Sequence, residues 1–135
     1  ITFEELDAMF TARGIDPAKM DHGKYLHDAT AAGRGYGVAG GVADAIVKCI
    51  NEYYPGTEVL VEHAEGLADC RKVLLQAKAG RKNGYLIEGM GCPGGCVAGA
   101  GTLLPVANAK KEVQKIVNDS SKKLPPKELR KIELE

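Results

Sequence analysis

Glycine is concentrated in two short stretches of this chain, and that clustering constrains the fold more than any other feature. Of 17 glycines, Gly33, Gly35, Gly37, Gly40 and Gly41 form one window, and Gly89, Gly91, Gly94, Gly95, Gly99 and Gly101 form a second. A linker of this density would be padded with serine and other polar residues. These windows are instead bounded by apolar strand and helix patterns, which predicts backbone packed closely against a neighbour.

The helical patterns are clear. Residues 2–13 read as a helix capped by Thr2 with Glu5 three positions on, carrying Phe3, Leu6, Met9 and Phe10 on one stripe and ending at Gly14. Residues 18–32 read as a polar loop. A helix is predicted over 41–53, with Val42, Ile46, Cys49, Ile50 and Tyr53 on its apolar face and a stop at Pro55-Gly56. Another runs over 67–79, with Leu67, Cys70, Val73, Leu74 and Ala77 inward, and a last one over 106–118, with Val106, Ala109, Val113, Ile116 and Val117 inward. Short strands are predicted at 58–62 and 85–88. The expected fold is α/β: a small βαβ-type parallel sheet with flanking helices. Residues 1–119 form the expected lobe, and residues 120–135 a polar, mobile tail.

Composition excludes several classes. The 18 basic and 18 acidic residues balance, so no basic field invites nucleic acid. No apolar run approaches the roughly 20 residues of a membrane helix. No signal peptide is visible, and four cysteines are too few for a secreted disulfide scaffold. Those readings give a cytoplasmic protein with no membrane partner. The chain opens at Ile1 directly into the first helix and reads as a fragment.

Cys49 and Cys70 lie on predicted helix stripes and read as small core residues. His22, His27 and His63 show no ligand spacing, and His63 reads as a surface or cap residue at a strand end. Cys92 and Cys96 differ, because the intervening Pro93-Gly94-Gly95 disfavours a helix. They follow the strand 85–88, at the carboxyl end where open α/β sheets build their sites. A redox disulfide, half of a zinc site, a phosphate-binding glycine loop, and two free thiols in a turn are all open readings. Iron–sulfur ligation accounts for most of the pattern: thiolates are the ordinary ligands, and flanking glycines admit a bulky inorganic group. A cubane takes four cysteines, and this loop has two.

The stretch Glu88-Gly89-Met90-Gly91-Cys92-Pro93-Gly94-Gly95-Cys96-Val97-Ala98-Gly99-Ala100-Gly101 resembles the last signature motif of the iron-only ([FeFe]) hydrogenase large subunit, Glu-x-Met-x-Cys-x-x-Gly-Cys-x-x-Gly-Gly-Gly. It departs at Ala100, and at Thr102-Leu103 where the family has Gln-Pro. Gly35–Ala45, with Asp44 in the acidic place, and Val59–Leu74 resemble further segments of that family. The resemblance covers roughly residues 33–118.

The resemblance implies the C-terminal part of a catalytic domain holding an H-cluster, a [4Fe-4S] cubane joined to a two-iron centre. By that likeness Cys92 ligates the cubane, Cys96 ligates it and bridges to the two-iron centre, Met90 packs beside that centre, and Gly95 lies against the cofactor. It further implies that the other cubane ligands and a proton-relay cysteine lie in the remaining part of the catalytic domain. A ferredoxin-type electron carrier is the implied partner, and a fragment by itself is expected to be inactive and to have a loose cluster loop. Hydrogenase-like iron–sulfur assembly proteins share the motif without the hydrogen chemistry, and they are the alternative.

Overall fold

The structure, a computed structural model, describes residues 1–21, 23 and 28–127. Among them are five α-helices and two strands: α1 (Phe3–Ala12), α2 (Ala31–Arg34), α3 (Gly41–Tyr53), β1 (Leu60–Glu65), α4 (Leu67–Lys78), β2 (Tyr85–Met90) and α5 (Val106–Asp119). β1 and β2 pair in parallel, from Leu60 opposite Tyr85 to Glu65 opposite Met90, with α4 as the crossover. The expected α/β class and βαβ unit are present.

Local chemistry sets the helix ends. At α1 the Glu5 N–H donates to Thr2 Oγ1 at 3.2 Å and the Thr2 N–H to Glu5 Oε2 at 2.7 Å, the predicted reciprocal cap. Gly14 and Gly80, both at positive φ, end α1 and α4 where expected.

The strands lie later than predicted. β1 begins at Leu60 rather than residue 58 and continues to Glu65, while β2 runs on through Gly89 and Met90. A strand extends as far as its partner supplies hydrogen bonds, and the pairing continues through Ala64–Gly89 and Glu65–Met90. His63 therefore lies inside β1 rather than at its end.

The core is built from small side chains. Ala31, Ala32, Ala43, Ala45, Ala64 and Val73 are its buried apolar members, and no large side chain among the described residues is fully enclosed. The predicted stripes are buried only in part. On α4, Val73 is buried and Cys70 and Ala77 half-buried, whereas Leu67 and Leu74 are exposed. On α3 the alanines are innermost and Ile46 is exposed. On α5, Ala109, Val113 and Val117 are half-buried, while Val106 and Ile116 are exposed.

α2 lies against both α3 and α5, and α5 also meets the turn at 96–98. Residues 120–127 of the expected tail are docked rather than free. The carbonyls of Lys122 and Lys123 accept from the N–H groups of Ala31 and Ala32 at 2.8 and 3.1 Å, and the Tyr53 hydroxyl donates to the Pro125 carbonyl. Ser120 is buried, donating its hydroxyl to the Ile116 carbonyl at 2.7 Å. The rest of that segment, and His22 and His27, lie outside the described residues.

Candidate metal centre

β2 ends at Met90 and the chain turns sharply through Cys92–Gly95 into a single 3-10 turn, Cys96–Ala98. The Gly95 N–H donates to the Cys92 carbonyl at 2.9 Å, and the Gly99 N–H to the Cys96 carbonyl at 3.0 Å. The two cysteines therefore begin two successive hydrogen-bonded turns beyond the carboxyl end of β2. Cys96 is exposed and Cys92 half-buried, and both are free thiols. Met90 is also half-buried. A Cβ at Gly99 would meet Cys92 Sγ at 3.7 Å, so this glycine opens space beside the thiol.

The two glycine windows pack against each other. The Ala39 N–H donates to the Gly94 carbonyl at 3.2 Å. Gly95 has φ +93°, and a Cβ there would lie 2.4 Å from Ala39 N and 2.6 Å from the Gly37 carbonyl oxygen. No side chain fits such a gap, so the windows approach backbone to backbone. These contacts give Gly95 a role within the protein itself. Its N–H is committed to Cys92, its α-carbon abuts residues 37–39, and its contribution is to shape the turn. Gly89 and Gly101 likewise have protein neighbours: a Cβ at Gly89 would meet Cys70 Sγ at 3.3 Å, and one at Gly101 would overlap Thr2 at the start of α1.

Two acidic residues that the sequence reading did not single out as anchors tie this assembly together. Glu88, 8% exposed on β2, accepts at Oε1 from the N–H groups of Val42 and Ala43 at 2.9 and 3.2 Å. Its Oε2 lies 3.0 Å from His63 Nδ1. Burial alone pushes this carboxyl up, but the bond to His63 and those from Ala43, Val42 and Gly40 outweigh it and hold it below its ordinary value. Glu88 thus caps α3 from a distant strand, in place of the usual local cap, because the α3 N-cap is Gly40. His63 is consequently a partner of Glu88 and not merely a surface residue. Glu65, at the end of β1, accepts the Gly94 N–H at 2.6 Å. Register was the available signal: in a parallel pair, the last residue of β1 faces the last of β2, beside whatever follows it.

Cys49 and Cys70 are half-buried on α3 and α4. Cys70 packs under the sheet, its thiol 3.7 Å from the Ala64 carbonyl oxygen and 3.9 Å from that of Met90. Among the described residues no group of three or more His, Cys, Asp or Glu side chains is placed to hold a metal ion. The donor set at the turn is therefore two thiols, which fits part of an iron–sulfur ligand shell and no complete one.

The family model described as iron only hydrogenase large subunit, C-terminal domain, matches residues 1–100. The chain belongs to that family. The match takes in α1, upstream of the segments whose likeness was noted in the sequence, and stops short of α5. Among characterised hydrogenases, the chain is 30% identical over 130 residues to the periplasmic [Fe] hydrogenase large subunit of Nitratidesulfovibrio vulgaris (strain Hildenborough). That alignment takes in 75% of this chain and 31% of the relative, so the chain spans about a third of that hydrogenase's length. None of the described helices is long and apolar enough to cross a membrane.

Proposed function

We propose that this chain is the part of an iron-only hydrogenase that supplies two cysteine ligands to the H-cluster, in a protein that interconverts H₂ with protons and electrons. The observation that carries the reading is the placement of Cys92 and Cys96 on successive turns at the carboxyl end of β2, within a chain of this family. When bound, the H-cluster, a [4Fe-4S] cubane with an attached two-iron centre, supplies the redox and hydrogen chemistry. The protein's own contribution is to hold and orient. Cys92 offers a thiolate to the cubane. Cys96, the more exposed of the two, would offer a thiolate to hold both the cubane and the two-iron centre. Met90 lends a soft, polarisable side chain to a pocket that excludes water. Gly95 allows the glycine windows to meet, so the turn has one shape before iron arrives.

The remaining cubane ligands and the proton relay belong to the rest of the catalytic domain, which is the obligatory partner. An apolar groove formed by Phe3, Val97, Leu103 and Leu104 runs beside the 96–98 turn and supports packing of further protein there. A ferredoxin-type protein is the proposed electron carrier. The proposed compartment is the cytoplasm; the N. vulgaris relative is named periplasmic. Fractionation of the source cells decides between the two.

The test is H₂ evolution from the full-length protein, matured anaerobically and supplied with a low-potential donor. Turnover that disappears in Cys96→Ser is expected. A full-length protein that loads its iron through Cys92 and Cys96 yet turns over no H₂ would mark it as an iron–sulfur assembly protein instead. The 135-residue chain by itself, with two of four cubane ligands, is expected to show no activity under the same conditions.

A further inference from the structure

Glu65 and Gly66 grip the cysteine turn from the neighbouring strand. Glu65 is the last residue of β1 and stands opposite Met90 in the ladder. Its Oε2 accepts the Gly94 N–H at 2.6 Å. The following residue, Gly66, donates its N–H to the Met90 carbonyl at 2.7 Å, and Pro93 Cγ lies 3.5 Å from where a Gly66 Cβ would stand. Two consecutive residues thereby contact positions 90, 93 and 94, on both sides of Cys92.

Among these contacts the Glu65 bond has particular leverage. Gly94 is buried, and its carbonyl is already engaged by the Ala39 N–H. With its N–H held by Glu65, the peptide groups on both sides of Gly94 are fixed, and this residue lies between the two cysteines. An unsatisfied N–H in a buried turn is costly. Fixing the backbone between two ligands before metal arrives removes ordering entropy from binding.

We propose that Glu65 is a positioning residue for the Cys92–Cys96 turn, acting through the Gly94 N–H. The proposal rests on the reading of those cysteines as iron–sulfur ligands. The acceptor oxygen and its reach carry the effect, and the negative charge does not. Glu65→Gln keeps an oxygen at the same distance. Glu65→Asp keeps the charge but is one methylene short. Glu65→Leu keeps neither.

The experiment compares these three variants with the parent in the full-length protein, with circular dichroism and thermal melting as folding controls. In metal-free protein, iodoacetamide labelling is mapped by mass, with Cys70 as internal reference. Cys92 is expected to react several-fold faster in the Asp and Leu variants and at the parental rate in the Gln variant. In reconstituted protein, iron loss to a chelator is expected to be about tenfold faster in the Asp and Leu variants and parental in the Gln variant, the size typical of losing a group that orients a ligand. If Glu65→Leu does not fold, Glu65→Asp carries the comparison. Parental behaviour in all variants overturns the proposal, as does equal impairment of Gln and Asp. If the parent's iron survives replacement of both Cys92 and Cys96, the ligand reading has failed, and the metal-free labelling still decides whether Glu65 holds the turn.

Discussion

A methyl group at position 95 has nowhere to go. Gly95→Ala would force a side chain onto a backbone at φ +93° and within 2.4 Å of Ala39 N. The expected cost is roughly 3 kcal/mol or more, the sum of left-handed strain and separation of the two windows, read as a fall in the denaturation midpoint of the full-length protein. The cysteines divide differently. Cys96→Ser should abolish attachment of the two-iron centre, whereas Cys92→Ser should weaken the cubane alone; iron stoichiometry reports the difference. Cys70→Ser, on a half-buried thiol packed under Gly89, should cost about 1–3 kcal/mol of stability and leave iron content unchanged. Iron lost with Cys70 would mean that the ligands have been assigned to the wrong turn. Exposure also separates the turn's two thiols. Cys96 is open and Cys92 half-covered, so alkylation of metal-free protein should proceed at Cys96 first.

At the scale of elements, α3 depends on a carboxylate contributed by β2. Its first N–H groups end on Glu88, not on a local cap, so stability of this helix start is tied to the ionisation of one buried group. The folded-state value of Glu88 lies below its ordinary one, so the folded chain binds the proton less readily. Its stabilisation is complete above the ordinary carboxylate range and declines as pH falls through the lowered folded value. Denaturation of the full-length protein from neutral toward acid pH should show that decline. Glu88→Gln should flatten the acid limb and lower stability at neutral pH by about 1–2 kcal/mol. The cysteine turn is likewise an element with its own supports. The resemblance implies a loose cluster loop in a fragment, and the backbone of this loop has bonds to Glu65 and Ala39 besides its own turn bonds.

Among the described residues, the buried apolar side chains are small, and many large ones are exposed. Leu67, 79% exposed, with Leu74 and Leu75 makes an apolar face on α4, and Phe3 and Met9 make another on α1. Monomeric proteins rarely leave such patches uncovered. The chain spans 31% of its hydrogenase relative, and a larger body of protein is the proposed cover. The 135-residue chain alone should therefore self-associate and bind a hydrophobic dye, as light scattering and fluorescence would show. Combining Leu67→Gln, Leu74→Gln and Leu75→Gln should reduce both signals. A monodisperse, dye-silent parent chain would mean that these leucines need no partner.

The amino-acid sequence determines the pieces whose causes are local. Thr2 and Glu5 cap α1, glycines stop helices, and the four-residue step from Cys92 to Cys96 within its glycine motif carries the likeness to the family. Those signals are written in residues a few positions apart. Periodicity indicates which residues share a face but not how much of that face meets a partner; hence Val73 is buried while Leu74, on the same predicted stripe, is exposed. The anchors of the site lie further beyond local reading. Glu88 reaches Val42 across 46 positions, and Glu65 reaches Gly94 across 29. Only the strand register brings those carboxylates to their donors, because a hydrogen bond depends on distance in space and not along the chain.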